Sequence, residues 1–290
     1  MQTPFYFNSE EPMDILIDTV IDNLKLFPFL FITYLILEYM EHKTSERISS
    51  FIKKAGSFGP LIGSICGILP QCGLSVVASN FYAARVIGIG TLIAIYLSTS
   101  DEMLPILISN SVSPYIIATI LIYKAMCGII FGYVINFIWQ KYYPRKQIDI
   151  EQLCENENCH CEDGIVKPAL YHSLRITLFI FAITLILNYS LAYLDINNYI
   201  SYLNMPLFGE IFSASIGLIP NCSASVILTQ LYLDNYINIG TLISGSLVNS
   251  GVGVLVLFRI NRHLKENILI LLILFLCGIF GGIISNLFLV

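Results

Sequence analysis

Gly59–Tyr82 reads GPLIGSICGILPQCGLSVVASNFY, and Gly209–Tyr232 reads GEIFSASIGLIPNCSASVILTQLY. A shift of 150 positions lays one on the other without a gap. Gly67 falls on Gly217, Pro70 on Pro220, Gln71 on Asn221, Cys72 on Cys222 and Ser75 on Ser225. The register continues through Ile89-Gly90-Thr91-Leu92-Ile93, which falls on Ile239-Gly240-Thr241-Leu242-Ile243. From Phe58 to Ser100 it gives 16 identities in 43 pairs. An internal duplication of this kind fixes the architecture before any single element is read.

Composition says what surrounds the repeat. Of 290 residues, 56% are hydrophobic and 12% charged, and the mean hydropathy is +0.75. A soluble domain carries about 25% charged residues, so the chain reads as an integral membrane protein. The acidic N-terminus and the long apolar stretch behind it do not have the form of a cleavable signal peptide. No basic patch with interleaved aromatics is present, which argues against a nucleic-acid partner. Crossing a hydrocarbon core of ~30 Å takes ~20 apolar residues. The stretches that qualify are 20–40, 86–108, 114–139, 168–192, 236–258 and 266–290. The motif stretches 57–84 and 207–233 are equally apolar, but each has a proline at its centre. The eight cysteines read as thiols: Cys66, Cys72, Cys127, Cys222 and Cys277 lie in apolar segments, where Cys66, Cys127 and Cys277 serve as small packing residues.

Charge placement orients the spans. Lys43, Arg47, Lys53 and Lys54 follow the first span, Lys141, Arg145, Lys146 and Lys167 occupy the central loop, and Arg259, Arg262 and Lys265 precede the last span. The positive-inside rule makes these loops cytoplasmic and puts 109–113, 193–206 and both termini outside. The chain must then cross an odd number of times between 41–56 and 109–113, where it has two apolar elements. The proline-broken one is therefore re-entrant, and the same count applies to 207–233. The expected fold is all-α with two inverted-topology repeats. Each holds three spanning helices and one re-entrant hairpin, making six spans and four half-helices, ten helical segments in all. The organisation is 1–140 for the first repeat, 141–167 for a cytoplasmic loop and 168–290 for the second repeat.

In this layout Pro70-Gln71-Cys72-Gly73-Leu74-Ser75 and Pro220-Asn221-Cys222-Ser223-Ala224-Ser225 meet near the midplane. Proline ends the incoming half-helix, and the Gln71 and Asn221 carboxamides offer donors and acceptors at the break. Cys72, Ser75, Cys222 and Ser225 start the outgoing half-helices, whose free N–H groups attract negative charge. Midplane sites of this kind bind the cargo of secondary transporters. Ser98-Thr99-Ser100-Asp101-Glu102 places two acids inside an expected span, where acids mark ion pathways. Thr99, Asp101, Glu102 and the repeat partner Asn249 join the expected site, with Lys124 as charge partner or gate. Cys154, Cys159, His160 and Cys161, in the central loop, suit a soft metal and read as a collecting site.

These residues also carry a family resemblance, together with Leu26-Phe27-Pro28-Phe29-Leu30-Phe31-Ile32-Thr33-Tyr34-Leu35 and Leu69-Pro70-Gln71-Cys72-Gly73. The chain resembles the ten-helix heavy-metal exporters, also labelled manganese transporters and named after organoarsenical permeases. The resemblance implies a transporter, not an enzyme, that exports a metal ion across the cell membrane and requires no cofactor. Asp101, Glu102, Gln71 and Asn221 would supply hard oxygens for manganese, whereas Cys72 and Cys222 would suit trivalent arsenic or another soft metal. An anion carrier is a further reading, because half-helix N-termini commonly hold anions. A membrane thiol oxidoreductase ranks last, since the chain has no Cys-x-x-Cys pair. No GxxxxGK[ST] loop is present, so coupling falls to an ion gradient, with a proton as one candidate. A metal ion or metalloid and the lipid bilayer complete the expected partners, and an oligomer is left open by the sequence.

Overall fold

A computed structural model describes residues 13, 16, 17, 19–21, 23, 24, 27, 28, 31, 32, 34, 35, 58–68, 72–100, 103–142, 166–192, 207–261 and 263–288. The described residues form helices and short connections, with no strand among them. Those within 13–35 are helical. The helices that follow are α1 Gly59–Gly67, α2 Cys72–Ala83, α3 Ile89–Ser98, α4 Met103–Ser109, α5 Pro114–Tyr142, α6 Val166–Ala192, α7 Phe208–Gly217, α8 Cys222–Leu233, α9 Ile239–Val248, α10 Gly253–Ile260 and α11 Leu264–Phe288. Their bounds keep the 150-residue register, so α1–α5 recur in order as α7–α11.

Five stretches among the described residues are long and apolar enough to cross a membrane: Ile89–Ser109, Pro114–Trp139, Ala169–Ile186, Ile239–Ile260 and Leu264–Phe288. The chain is thus a multi-pass, helical membrane protein. In a bilayer every backbone polar group must be satisfied within the segment, which leaves helices as the form these sequences take. The window within Ile239–Ile260 is 89% buried and that within Ile89–Ser109 is 69% buried, whereas the windows in the other three fall between 29% and 39%. The two repeat-related middle spans therefore form the centre, and α5, α6 and α11 wrap them. Their outer faces, with Tyr115, Phe137, Leu178, Phe280 and Leu287 exposed, suit contact with lipid tails.

One expectation is corrected here. The stretches 86–108 and 236–258 qualify as spans, but neither is a single helix. The first stops at Ser98 and restarts at Met103, and the second stops at Val248 and restarts at Gly253. Short polar side chains cluster at both breaks and bond to the nearby backbone. Ser98 Oγ donates to Ala94 O at 2.8 Å and Thr99 Oγ1 to Ile95 O at 2.6 Å. In the second repeat Asn249 Oδ1 accepts from Gly251 N at 2.9 Å. Gly251 itself has φ 56°, a left-handed conformation that glycine adopts at no steric cost.

Small residues bring the central helices close. Gly128 and Gly132 on α5 have the spacing of membrane helix contacts, and Gly278 and Gly282 on α11 repeat it. A Cβ added at Gly128 would lie 2.8 Å from Ala94 O and one at Gly132 would lie 2.8 Å from Gly90 O. In the second repeat, Gly278 would meet Ser244 O at 3.0 Å and Gly282 would meet Gly240 O at 2.8 Å. All four contacts match under the 150-residue shift, so both repeats build the same backbone-to-backbone crossing. The repeats also interlock. Besides its own neighbours, α2 of the first hairpin packs on α10 beyond the second break, and α8 packs on α4 beyond the first.

At one end of the bundle Arg85, at φ 59° in the turn after α2, grips Glu266 in the first turn of α11. Its Nη1 lies 2.7 Å from Oε1 and its Nη2 3.0 Å from Oε2. Tyr82 also donates its hydroxyl to Glu266 Oε1, so a forked ion pair ties the two repeats together. The hydrogen bond to Glu266 raises the affinity of Arg85 for its own proton above the ordinary guanidinium value.

Candidate functional site

The first helix of each motif stops short of its proline. α1 ends at Gly67 and α7 at Gly217, three residues before Pro70 and Pro220, because a proline disfavours helix at the residue before it. Cys72 and Cys222 are the first residues of α2 and α8, as the motif predicts, and their side chains lie outside what is described. Gln71, Asp101, Glu102, Cys154, Cys159, His160 and Cys161 also lie outside the described residues.

The remaining expected residues are buried. Asn221 is the N-cap of α8, where its Oδ1 accepts from Ser223 N at 3.4 Å, a capping role well suited to asparagine. Ser225 is 5% and Asn249 4% exposed, yet Ser225 Oγ and Asn249 Nδ2 have no hydrogen-bond partner. Buried polar atoms are rarely left unmatched, because their desolvation is not repaid. Asn249 sits at the break of its own span, and Ser225 sits on the helix that packs behind the break of the other.

Lys124 links the two breaks. It is 1% exposed, and its ammonium donates to Thr99 O at 2.5 Å and to Ser246 O at 2.8 Å. Both acceptors belong to the C-terminal ends of half-spans, where unpaired carbonyls and the helix dipole favour a cation. The opposite repeat has Leu274 at this position, so one charge serves both ends.

Ser75 completes the cluster from the first hairpin. A Cβ added at Gly253, just past the second break, would fall 2.7 Å from Ser75 Cβ. One turn on, Ser79 Oγ contacts Ser75 O, Gly253 O and Tyr96 Oη at 2.7, 2.7 and 2.6 Å. The structure therefore brings Ser75, Thr99, Lys124 and Asn249 to the two breaks, with Asn221 and Ser225 on α8. Among the described residues no group of three His, Cys, Asp or Glu side chains could hold a metal.

Several residues were not singled out by the sequence reading. Ser79 and Tyr96 bridge the hairpin to the broken span, and Glu210 is a buried acid in the first turn of α7. The signal for them lay in departures from the duplication: Tyr96 falls on Ser246, and Glu210 on Pro60. Cys127 and Cys277 are free thiols packed in one apolar cluster, as expected, but Cys66 is exposed and does not pack inside.

Comparison with known proteins adds one match. The family described as 10TM heavy-metal exporter matches residues 11–183, a range that takes in the first hairpin, the first break and Lys124. No curated protein and no solved structure matches the chain.

Proposed function

From the premise that the chain belongs to the family of 10TM heavy-metal exporters, we propose that it is a secondary transporter exporting a heavy-metal ion, with manganese as the first candidate. The ion would pass through a midplane site between the two hairpin tips and the two span breaks. The observation that carries this reading is the pair of buried, unpartnered polar atoms, Ser225 Oγ and Asn249 Nδ2, beside helices that stop partway. α3 and α9 have 10 residues each, or ~15 Å at 1.5 Å per residue, half of a ~30 Å core. Both breaks then fall at mid-depth. The crosswise packing of α2 on α10 and of α8 on α4 supports two repeats that run in opposite directions, with the central loop cytoplasmic and both termini outside.

In this reading Gln71, Asn221, Asp101 and Glu102 provide hard oxygen ligands, assisted by Ser75, Ser225, Thr99 and Asn249. Lys124 acts as charge partner and gate: it holds the half-span ends until a carboxylate or the cargo draws it away. Cys154, Cys159, His160 and Cys161 collect metal on the cytoplasmic side. A second reading is favoured by one observation, the position of Cys72 and Cys222 at the N-termini of α2 and α8. Helix N-termini favour thiolates, and thiolates select soft ions such as trivalent arsenic.

Uptake into inverted vesicles separates the two. Manganese uptake that survives Cys72→Ser/Cys222→Ser and is lost in Asp101→Asn supports the oxygen site. Arsenite uptake lost with the thiols supports the soft-metal reading. Absence of both refutes metal export and leaves an anion carrier.

A further inference from the structure

Glu210 is 1% exposed and meets Asn286 of α11 in the second repeat. Its backbone carbonyl accepts from Ser244 Oγ at 2.8 Å, and its Oε1 accepts from Asn286 Nδ2 at 2.6 Å. Two atoms of this pair are left over. Glu210 Oε2 and Asn286 Oδ1 are both buried and both without a hydrogen-bond partner. Asn286 is pressed against Gly240, where an added Cβ would strike its amide, so the carboxamide is held in place by the bare backbone opposite.

Among the described residues, no positive charge balances Glu210. The helices packed against α7 are α8, α9 and α11. α9 has no titratable side chain, and α8 has only Cys222 and Tyr232. α11 has Lys265, Glu266 and Cys277. Lys265 and Glu266 precede Asn286 by 21 and 20 residues, or ~30 Å of helix. A buried carboxylate with one oxygen bare and no counter-ion is a costly arrangement.

One proton removes every part of that cost. A carboxylic acid with its O–H on Oε2 would donate to Asn286 Oδ1, while Asn286 Nδ2 continues to donate to Oε1. The result is a closed acid–amide ring with no orphaned atom and no net charge. We infer that Glu210 and Asn286 form a proton-binding site, and that its proton is the coupling ion of the transporter. The coupling half of this inference rests on the transport reading above; the site itself does not. The step is a simple protonation: hydronium gives up a proton, one O–H bond forms at Oε2, water leaves, and no electrons are exchanged. Departure of Asn286 from Gly240 during the transport cycle would open the ring and release the proton.

The test has two arms on the full chain in lipid vesicles. Glu210→Gln keeps the ring as an amide pair and folds without the proton, so it is the central variant. Infrared difference spectra across a pH step should show a carboxylic-acid carbonyl band in the wild type that is lost in Glu210→Gln and displaced in Asn286→Ala. An unchanged band in Glu210→Gln overturns the site. The second arm loads the vesicles with manganese chloride and reads proton movement with a pH-sensitive dye. Metal-dependent proton flux in the wild type, lost in Glu210→Gln and retained in Glu210→Asp, supports coupling. Proton flux per metal ion unchanged in Glu210→Gln overturns coupling and leaves the transport reading standing. If no manganese moves but the band behaves as stated, the manganese reading falls and the proton site stands.

Discussion

Gly253→Ala tests the contact between the second break and the first hairpin. The added Cβ would lie 2.7 Å from Ser75 Cβ, 2.8 Å from Ser75 Oγ and 2.9 Å from the Ser75 backbone carbon. Two of these atoms cannot rotate away, because Cβ and the carbonyl carbon are fixed by the backbone of α2. Ordinary contact begins near 3.4 Å, so α2 and α10 must part by ~0.7 Å or strain by as much. Overpacking of this kind costs about 1–3 kcal/mol. The helix-propensity gain of alanine over glycine returns at most ~1 kcal/mol, and less at the first residue of a helix. The net expectation is a loss of ~1–2 kcal/mol, or on the order of 2–8 °C in melting temperature for a chain of this size. Transport should fall too, because Ser79 loses its bond to Gly253 O. Gly63→Ala is the control: its Cβ would meet nothing closer than 3.0 Å, and that atom is the flexible Ile95 Cγ1. Melting in detergent, followed by monodisperse protein recovered after heating, reads both. If Gly253→Ala melts within a degree of the wild type and transports normally, or if Gly63→Ala loses as much, the packing argument is wrong.

Ser225→Ala removes a buried hydroxyl that has no partner, so the melting temperature should hold or rise while transport falls; a stability loss of ~1 kcal/mol or more would mean the hydroxyl is structural. Lys124→Met removes two bonds to backbone carbonyls, each worth about 1.5–3 kcal/mol as a charged donor, offset by relief of a buried charge. Lys124→Arg should retain more stability than Lys124→Met in the same melt, and equal losses would show that keeping the charge does not help and that the fit of the ammonium to its two carbonyls sets the outcome. For Arg85 and Glu266, a double-mutant cycle with Arg85→Gln and Glu266→Gln should give a coupling energy of ~1 kcal/mol, since the pair is forked but Arg85 is a third exposed. Additive losses would rule the ion pair out as a link between the repeats.

Much of the helical order was legible from residue chemistry. The 150-residue duplication set the element bounds, and Pro70 and Pro220 marked where α1 and α7 stop, because proline past the first turn blocks a helix. The span breaks were harder to read. Ser98-Thr99-Ser100 and Asn249-Ser250-Gly251 resemble ordinary small residues in a membrane helix, and whether a serine bonds back to its own helix depends on what the neighbours offer. Lys124 was readable as a charge in an apolar span, but its acceptors were not. Thr99 O and Ser246 O are 25 residues before it and 122 after it, and a carbonyl has no sequence signature.

The sequence by itself determined that this is a duplicated helical membrane protein of the heavy-metal exporter family, because hydropathy, proline and repeat register are local properties of the chain. Only the tertiary structure decided which polar groups remain unmatched. Ser225 Oγ, Asn249 Nδ2, Glu210 Oε2 and Asn286 Oδ1 became candidates for cargo and proton once their surroundings had closed without supplying a partner. The physical reason is that hydrogen-bond satisfaction is a property of the whole packed interior, so no residue's identity reveals whether it will be met.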